Sequence, residues 1–292
     1  MKYLTHSFLL IFLASTPPLS ATDLTTWNLW PGEAPGEIVM LPPESYRTND
    51  TRLTAGKPVS RLQNVSVPTL TIYKPDPKID TGSSILIAPG GGFTILAYDK
   101  EGTEVAEWAN SIGMTAIVIK YRVPGNVHNP DKPWLAAAQD GQRAMSLVKS
   151  RSDEVGIDPD RIGIMGFSAG GVPVMYTALV SDRLYDSVDS HDDHNFRPAF
   201  AAPIYSGWWM PEETNLSEAT PPFFMVITYD DKDRSIGLSE TYIKLKKAKV
   251  SAEMHIYSEG GHGYGLRRTE KPVTSWSDRM EDWLRHKGFL EN

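Results

Sequence analysis

The chain has 292 residues, with 29 Lys+Arg against 36 Asp+Glu, a formal charge of -7, 40% hydrophobic residues and no cysteine. This is a globular composition long enough for a substantial core, and its acidic balance excludes a sequence-independent nucleic-acid binder, which needs a positive surface to displace counterions from phosphates. The lack of cysteine also excludes disulfide scaffolds, thiolate metal sites and a thiol nucleophile.

In chain order, residues 1–21 come first, with Lys2, the apolar run FLLIFLA at 8–14 and the small-residue, proline-containing stretch STPPLSA at 15–21. This pattern predicts a secretory signal cleaved near Ala21 and hence a secreted or periplasmic protein. The run is too short to span a bilayer, which takes about 20 apolar residues, so no membrane anchor is expected. Residues 22–61 are proline-rich and polar without a sustained period, and are expected to form an extended arm lying on one domain, residues 62–292. An alternating, β-rich run at 62–73 opens that domain, followed by an apolar run at 85–88, helical spacing at 102–112 and a second apolar run at 115–121. Helix is then predicted at 134–152, strand at 162–167, helix at 169–180, strand at 200–205 and strand at 223–228. Helix at 238–249, strand at 252–257 and helix at 275–287 complete the chain. Strands alternating with helices indicate an α/β fold, a mainly parallel sheet with helices on both faces and a site at the carboxyl ends of its strands.

The strongest local signal sits at such an end. Gly166-Phe167-Ser168-Ala169-Gly170 closes the strand RIGIMGF and opens a helix. A nucleophile elbow requires this context: a sharp turn projects the serine oxygen, and the helix N-terminus favours developing negative charge. A serine hydroxyl needs a base held by a third group. Of seven histidines, only His262 lies in the loop after the last strand, flanked by glycines in EGGHGY, His286 being in the predicted terminal helix. The orienting acid is expected after the strand at 223–228, where Asp230, Asp231 and Asp233 are all offered. Asp231 is the first choice because it lies far enough beyond the strand to turn toward the imidazole, with Asp230 and Asp233 as alternatives. The order Ser, Asp, His, each after its own strand, differs from the chymotrypsin and subtilisin orders. PGGGF at 89–93 follows another strand and offers backbone N–H groups for an oxyanion, which the N–H of Ala169 completes.

With these residues in view, the chain resembles the α/β-hydrolase esterases, and among them the secreted carbohydrate esterases of the acetylxylan and bifunctional feruloyl type. The resemblance rests on PGGGF with the following YDKEGTEVAEW, KYRVP, QDGQRAM, GIDPDRIGIMGFSAGG, LKKAKV and GGHGYGL. It implies the α/β-hydrolase fold, Ser168 as nucleophile, His262 as base, Asp231 as orienting acid, and Gly91, Gly92 and Ala169 as oxyanion donors. The acid loop departs from the family in lacking its histidine-glycine opening and later Val-Pro, and reads TYDDKDRSIG. Asp140 and Arg143 resemble a family feature and are expected to form a structural pair with each other.

Trp208 and Trp209, beyond the strand at 200–205, face the same rim and are candidate substrate-wall residues, with burial under the loop as the alternative. His191-Asp192-Asp193-His194 has metal-ligand residue types but no closed geometry, and is expected to be a solvated charged loop. The expected function is a serine carboxylesterase acting on small esters or on acetylated or feruloylated plant polysaccharide, without metal or organic cofactor and without nucleic-acid or membrane partner. A prolyl-oligopeptidase-type peptidase and a non-catalytic carbohydrate-binding homologue are the alternatives.

Overall fold

The computed structural model describes residues 24–36, 40–47, 51–207, 210–217 and 219–291. The expected signal at 1–21 lies outside them, as do Trp208 and Trp209. Among the described residues no helix is long and apolar enough to cross a membrane.

Eight strands form the central sheet: β1 (Thr25–Asn28), β2 (Thr69–Tyr73), β3 (Ser84–Ala88), β4 (Thr115–Lys120), β5 (Ile162–Phe167), β6 (Ala201–Ile204), β7 (Phe223–Thr228) and β8 (Ala252–Tyr257). Their spatial order is β1-β2-β4-β3-β5-β6-β7-β8. From β4 to β8 every pairing is parallel, whereas β1 and β2 run antiparallel at one edge. The five longest helices are α1 (Glu104–Ser111), α2 (Leu135–Ser150), α3 (Gly171–Leu179), α4 (Lys232–Lys247) and α5 (Trp276–His286).

The strands buried on both sides read as unbroken apolar runs: every residue of β3, β5, β6 and β7 is buried. Successive side chains of a strand point to opposite faces, which fixes where the helices lie. Phe167 meets Trp276 of α5, with ring centroids 6.1 Å apart, while a Cβ added at neighbouring Gly166 would lie 2.7 Å from Val174 of α3. Hence α3 and α5 cover opposite faces. Trp108 of α1 joins Trp276 on the α5 side at 6.3 Å, and α2 packs on α3 where a Cβ at Gly141 would meet Pro173 at 2.8 Å.

Three elements depart from expectation. The segment expected as a surface arm supplies edge strand β1, and its Trp27, Leu29, Trp30 and Ala34 are buried in the main core. Trp30 is held from a distance: its indole N–H donates to Asp140 at 2.9 Å, and Arg122 and Arg143 lie 5.8 and 5.6 Å from its ring centre. The run at 62–73 is split, because Asn64 adopts a positive φ of 60° and Pro68 withholds a donor; Arg61–Gln63 joins a separate three-stranded sheet instead. Helix α4 begins at Lys232, six residues before the expected start at Leu238.

Two charged groupings also differ. Asp140 and Arg143 do not pair with each other. Asp140 holds Arg122 at 2.9 Å, and Arg143 holds Asp189 at 2.6 Å and Asp192 at 3.0 Å. Asp192, expected on a solvated loop, is buried and also accepts from Arg183 at 3.1 Å, Tyr185 at 2.7 Å and the Val188 N–H at 3.0 Å. These ties fasten the loop before β6 onto α2. Among the described residues no group of three or more His, Asp or Glu is arranged to hold a metal ion.

Candidate active site

Four loops converge at the carboxyl ends of β3, β5, β7 and β8. The first is the turn after β5. Ser168 has a φ of 52°, a left-handed conformation that a side-chain-bearing residue adopts at a cost, and it projects the hydroxyl out of the strand-to-helix bend. The bend is so tight that a Cβ at Gly166 would lie 2.0 Å from the carbonyl oxygen of Gly170. Only glycine fits there, which is the physical content of the GxSxG spacing.

Ser168 Oγ lies 2.7 Å from His262 Nε2, and His262 Nδ1 lies 2.7 Å from Asp231 Oδ2. With Nδ1 carrying the proton toward the carboxylate, Nε2 presents its lone pair to the serine hydroxyl. Asp231 is buried, and its other oxygen accepts from Arg234 Nη1 at 3.2 Å. Of the three carboxylates offered by the sequence, Asp231 alone reaches the imidazole. Asp230 turns the other way and accepts from the N–H groups of Gly260 at 3.1 Å and Gly261 at 2.8 Å, holding the loop that carries His262. These bonds, the Gly261 one foremost, favour the ionised carboxyl and place Asp230 below the ordinary carboxylate range. Asp233 lies exposed in the first turn of α4.

The PGGGF loop supplies the third wall. A Cβ at Gly90 would come within 2.9 Å of Ser168 Cβ, so this loop lies against the serine. Gly91 has a φ of 146°, and a Cβ there would sit 1.9 Å from the carbonyl of Ile95. Most polar groups of the loop are engaged: Pro89 O accepts from Tyr121 at 2.7 Å, Gly90 O from Ala97 N at 2.9 Å, and Gly91 O from Thr94 N at 3.2 Å. The N–H groups of Gly91 and Gly92 donate to no acceptor among the described residues. The N–H of Ala169 stands at the opening turn toward α3. Ser168 is partly exposed and His262 exposed, so the site opens directly at the surface.

Several supporting groups carried no sequence motif. Tyr205, at the end of β6, is fully buried and sets its ring edge-on to His262 with centroids 5.2 Å apart. Burial, reinforced by the negative charge of Glu101, pushes its phenol well above the usual tyrosine value, so it remains a donor. Arg234 was likewise unmarked; it touches Asp231 and runs within 3.3 Å of the position a Cβ on Gly207 would take.

A family profile described as the α/β-hydrolase fold matches residues 85–187, which include the PGGGF loop and the Ser168 turn. The solved acetyl ester-xyloside bifunctional hydrolase of Caldicellulosiruptor lactoaceticus superposes with a TM-score of 0.63 at 26% identity, covering 91% of this chain and 97% of that one. The chain has the α/β-hydrolase fold. A thermophilic esterase of Thermogutta terrifontis shares the α/β-hydrolase fold, with a TM-score of 0.66 at 20% identity over 77% of this chain and 89% of that one. In sequence the chain is similar to an acetylxylan esterase of Xylanibacter ruminicola, 26% identical over 229 residues, or 72% of this chain. It spans 46% of that esterase's length.

Proposed function

We propose that this chain is an exported serine carboxylesterase that removes acetyl groups from plant polysaccharide, with Ser168 as nucleophile, His262 as general base and Asp231 as orienting acid. The observation that carries the reading is the continuous hydrogen-bonded line from Ser168 through His262 to Asp231, with both links at 2.7 Å. In the first half-reaction His262 Nε2 takes the Ser168 proton as Oγ attacks the ester carbonyl carbon, and the oxyanion is received by the N–H groups of Gly91, Gly92 and Ala169. Collapse breaks the bond to the alcohol oxygen, which departs with the proton from Nε2. Water then gives its proton to Nε2 and attacks the acyl-enzyme; the acid leaves and Ser168 recovers its hydrogen.

The substrate class rests on the relatives named above, an acetylxylan esterase and an acetyl ester-xyloside hydrolase. It agrees with a nucleophile at the open surface, where an ester borne on a bulky chain reaches the serine without entering a tunnel. Feruloyl esters and a wall formed by Trp208 and Trp209 are the narrower part of the proposal. Export rests on the signal-like residues 1–21.

Three measurements test the reading. A fluorophosphonate probe labels the wild-type protein and not Ser168→Ala, which also loses hydrolysis of p-nitrophenyl acetate by about six orders of magnitude. Absence of labelling in the wild type sinks the esterase reading. Release of acetate from acetyl-xylan, compared with cleavage of methyl ferulate and of longer p-nitrophenyl esters, tests the acyl group. N-terminal sequencing of the protein recovered outside the cytoplasm gives a start near Thr22 if the signal is cleaved, and Met1 if it is not.

A further inference from the structure

One buried carboxylate joins both loops that must meet at Ser168, the first directly and the second through two side chains. Glu101 lies in the π-helical turn Asp99–Thr103 ahead of α1 and is 2% exposed. Its Oε2 accepts from the Gly90 N–H at 2.7 Å, in the loop whose next two N–H groups are the proposed oxyanion donors. Its Oε1 accepts from Tyr205 Oη at 3.0 Å and pairs with Lys100 Nζ at 2.9 Å. Both of those partners continue to the other loop. Tyr205 Oη accepts from the Gly265 N–H at 3.0 Å, and Lys100 Nζ donates to Gly263 O at 2.7 Å. Gly263 and Gly265 flank Tyr264, directly after His262.

A carboxylate out of water is retained only where every lone pair is used, and Glu101 uses both oxygens on groups that lead to the site. Removing it takes the acceptor from the Gly90 N–H and from the Tyr205 hydroxyl and the counter-charge from the Lys100 ammonium at once. The Gly90 bond fixes the peptide plane that precedes the two free N–H groups. The Tyr205 and Lys100 bonds fix the backbone that follows the base.

Resting on the serine esterase reading, we propose that Glu101 is a positioning residue for acyl transfer: its carboxylate locks the oxyanion loop and the His262 loop into one register around Ser168. It touches neither substrate nor the reacting atoms. Its effect is therefore on the transition state, where donor placement counts, and little on ground-state binding.

The test uses Glu101→Gln, Glu101→Ala and Tyr205→Phe in the whole chain. Glu101→Ala lowers kcat on p-nitrophenyl acetate about 100-fold with KM nearly unchanged, the scale of loss for a misplacement of about 1 Å. Affinity for methylboronic acid, which forms a tetrahedral anion on the serine, falls by the same factor. Glu101→Gln keeps an acceptor for Gly90 but loses the ion pair, and recovers part of that loss. Tyr205→Phe costs about tenfold on its own, and combined with Glu101→Gln it costs less than the product of the two, because both cut one connection. Should Glu101→Ala not fold, Glu101→Gln and Tyr205→Phe carry the test. A Glu101→Gln protein with wild-type kcat and boronate affinity overturns the positioning role, as does a loss confined to KM or a fully multiplicative double variant. A wild-type protein that neither takes up the fluorophosphonate nor cleaves the ester overturns the esterase reading itself.

Discussion

Two adjacent aspartates, Asp230 and Asp231, divide one task at the residue scale. Asp231 holds the imidazole directly, and Asp230 holds the loop on which the imidazole stands. Asp231→Asn therefore leaves the loop in place but offers the histidine an amide, and kcat falls about 10⁴-fold, the scale of losing the orienting acid in such a triad. Asp230→Asn is predicted to cost far less turnover and to act on stability with a definite pH signature. The Asp230 carboxyl is depressed in the folded state, so its contribution is full above the ordinary carboxylate range and is lost as pH falls through the lowered value. The wild type is then more heat-stable than Asp230→Asn at neutral pH, and the gap closes in acid; a gap independent of pH would show that the carboxylate does not act through its charge. Three candidate acids were legible in the sequence because they followed the right strand. Which one reached the histidine depended on side-chain direction at the start of α4, which no local pattern encodes.

At the scale of elements, the strand-to-helix turn at Ser168 is the most constrained junction. Gly166→Ala would drive a methyl into the Gly170 carbonyl, a backbone atom that cannot move without shifting α3 or β5. We predict a stability loss of about 3 kcal/mol or more, at the upper end for overpacking, with activity lost in whatever fraction stays folded. Urea denaturation and p-nitrophenyl acetate turnover read the two effects, and a soluble variant of wild-type stability would contradict the geometry. The same tightness explains why this element was readable from sequence: glycines spaced around a serine at the end of an apolar run leave few other structures. β5, β7 and β8 lie where their apolar or β-rich runs predict them. Helix α4 was only half visible, since KDRSIG at its start has no apolar period and Asp231 just ahead of it turns its carboxylate to His262 and makes no side-chain capping bond. β1 was missed altogether. Four residues, TTWN, are too few to show alternation, and their place is set by pairing with β2 rather than by their own pattern.

On the scale of the whole molecule, the acidic, cysteine-free chain is held by an apolar core and by buried hydrogen bonds to carboxylates that reach far along the sequence. Trp30 and Asp140 stand 110 positions apart, and Tyr205 and Glu101 stand 104 apart. The line from Ser168 to His262 was legible in the sequence because each of the two residues carries a local glycine context. Nothing in the sequence assigned a role to Tyr205, to Lys100 and Glu101 within YDKEGTEVAEW, or to Arg234 within TYDDKDRSIG, because what a residue does in joining distant loops depends on partners far along the chain.

The separation of 94 residues between Ser168 and His262 has a kinetic consequence. The elbow completes within β5 and α3, but its base arrives on the loop after the last strand, which must first dock at the far edge of the sheet. Turnover is thus a report on the final closure of the chain, and it should trail the recovery of backbone structure. In refolding from urea, far-ultraviolet circular dichroism is expected to return before hydrolysis of p-nitrophenyl acetate does, because non-local contacts of this span form late. Coincident recovery would mean that the His262 loop docks together with the central strands. In either case, a chain cut short of its final strand and loop would present the serine elbow without its base.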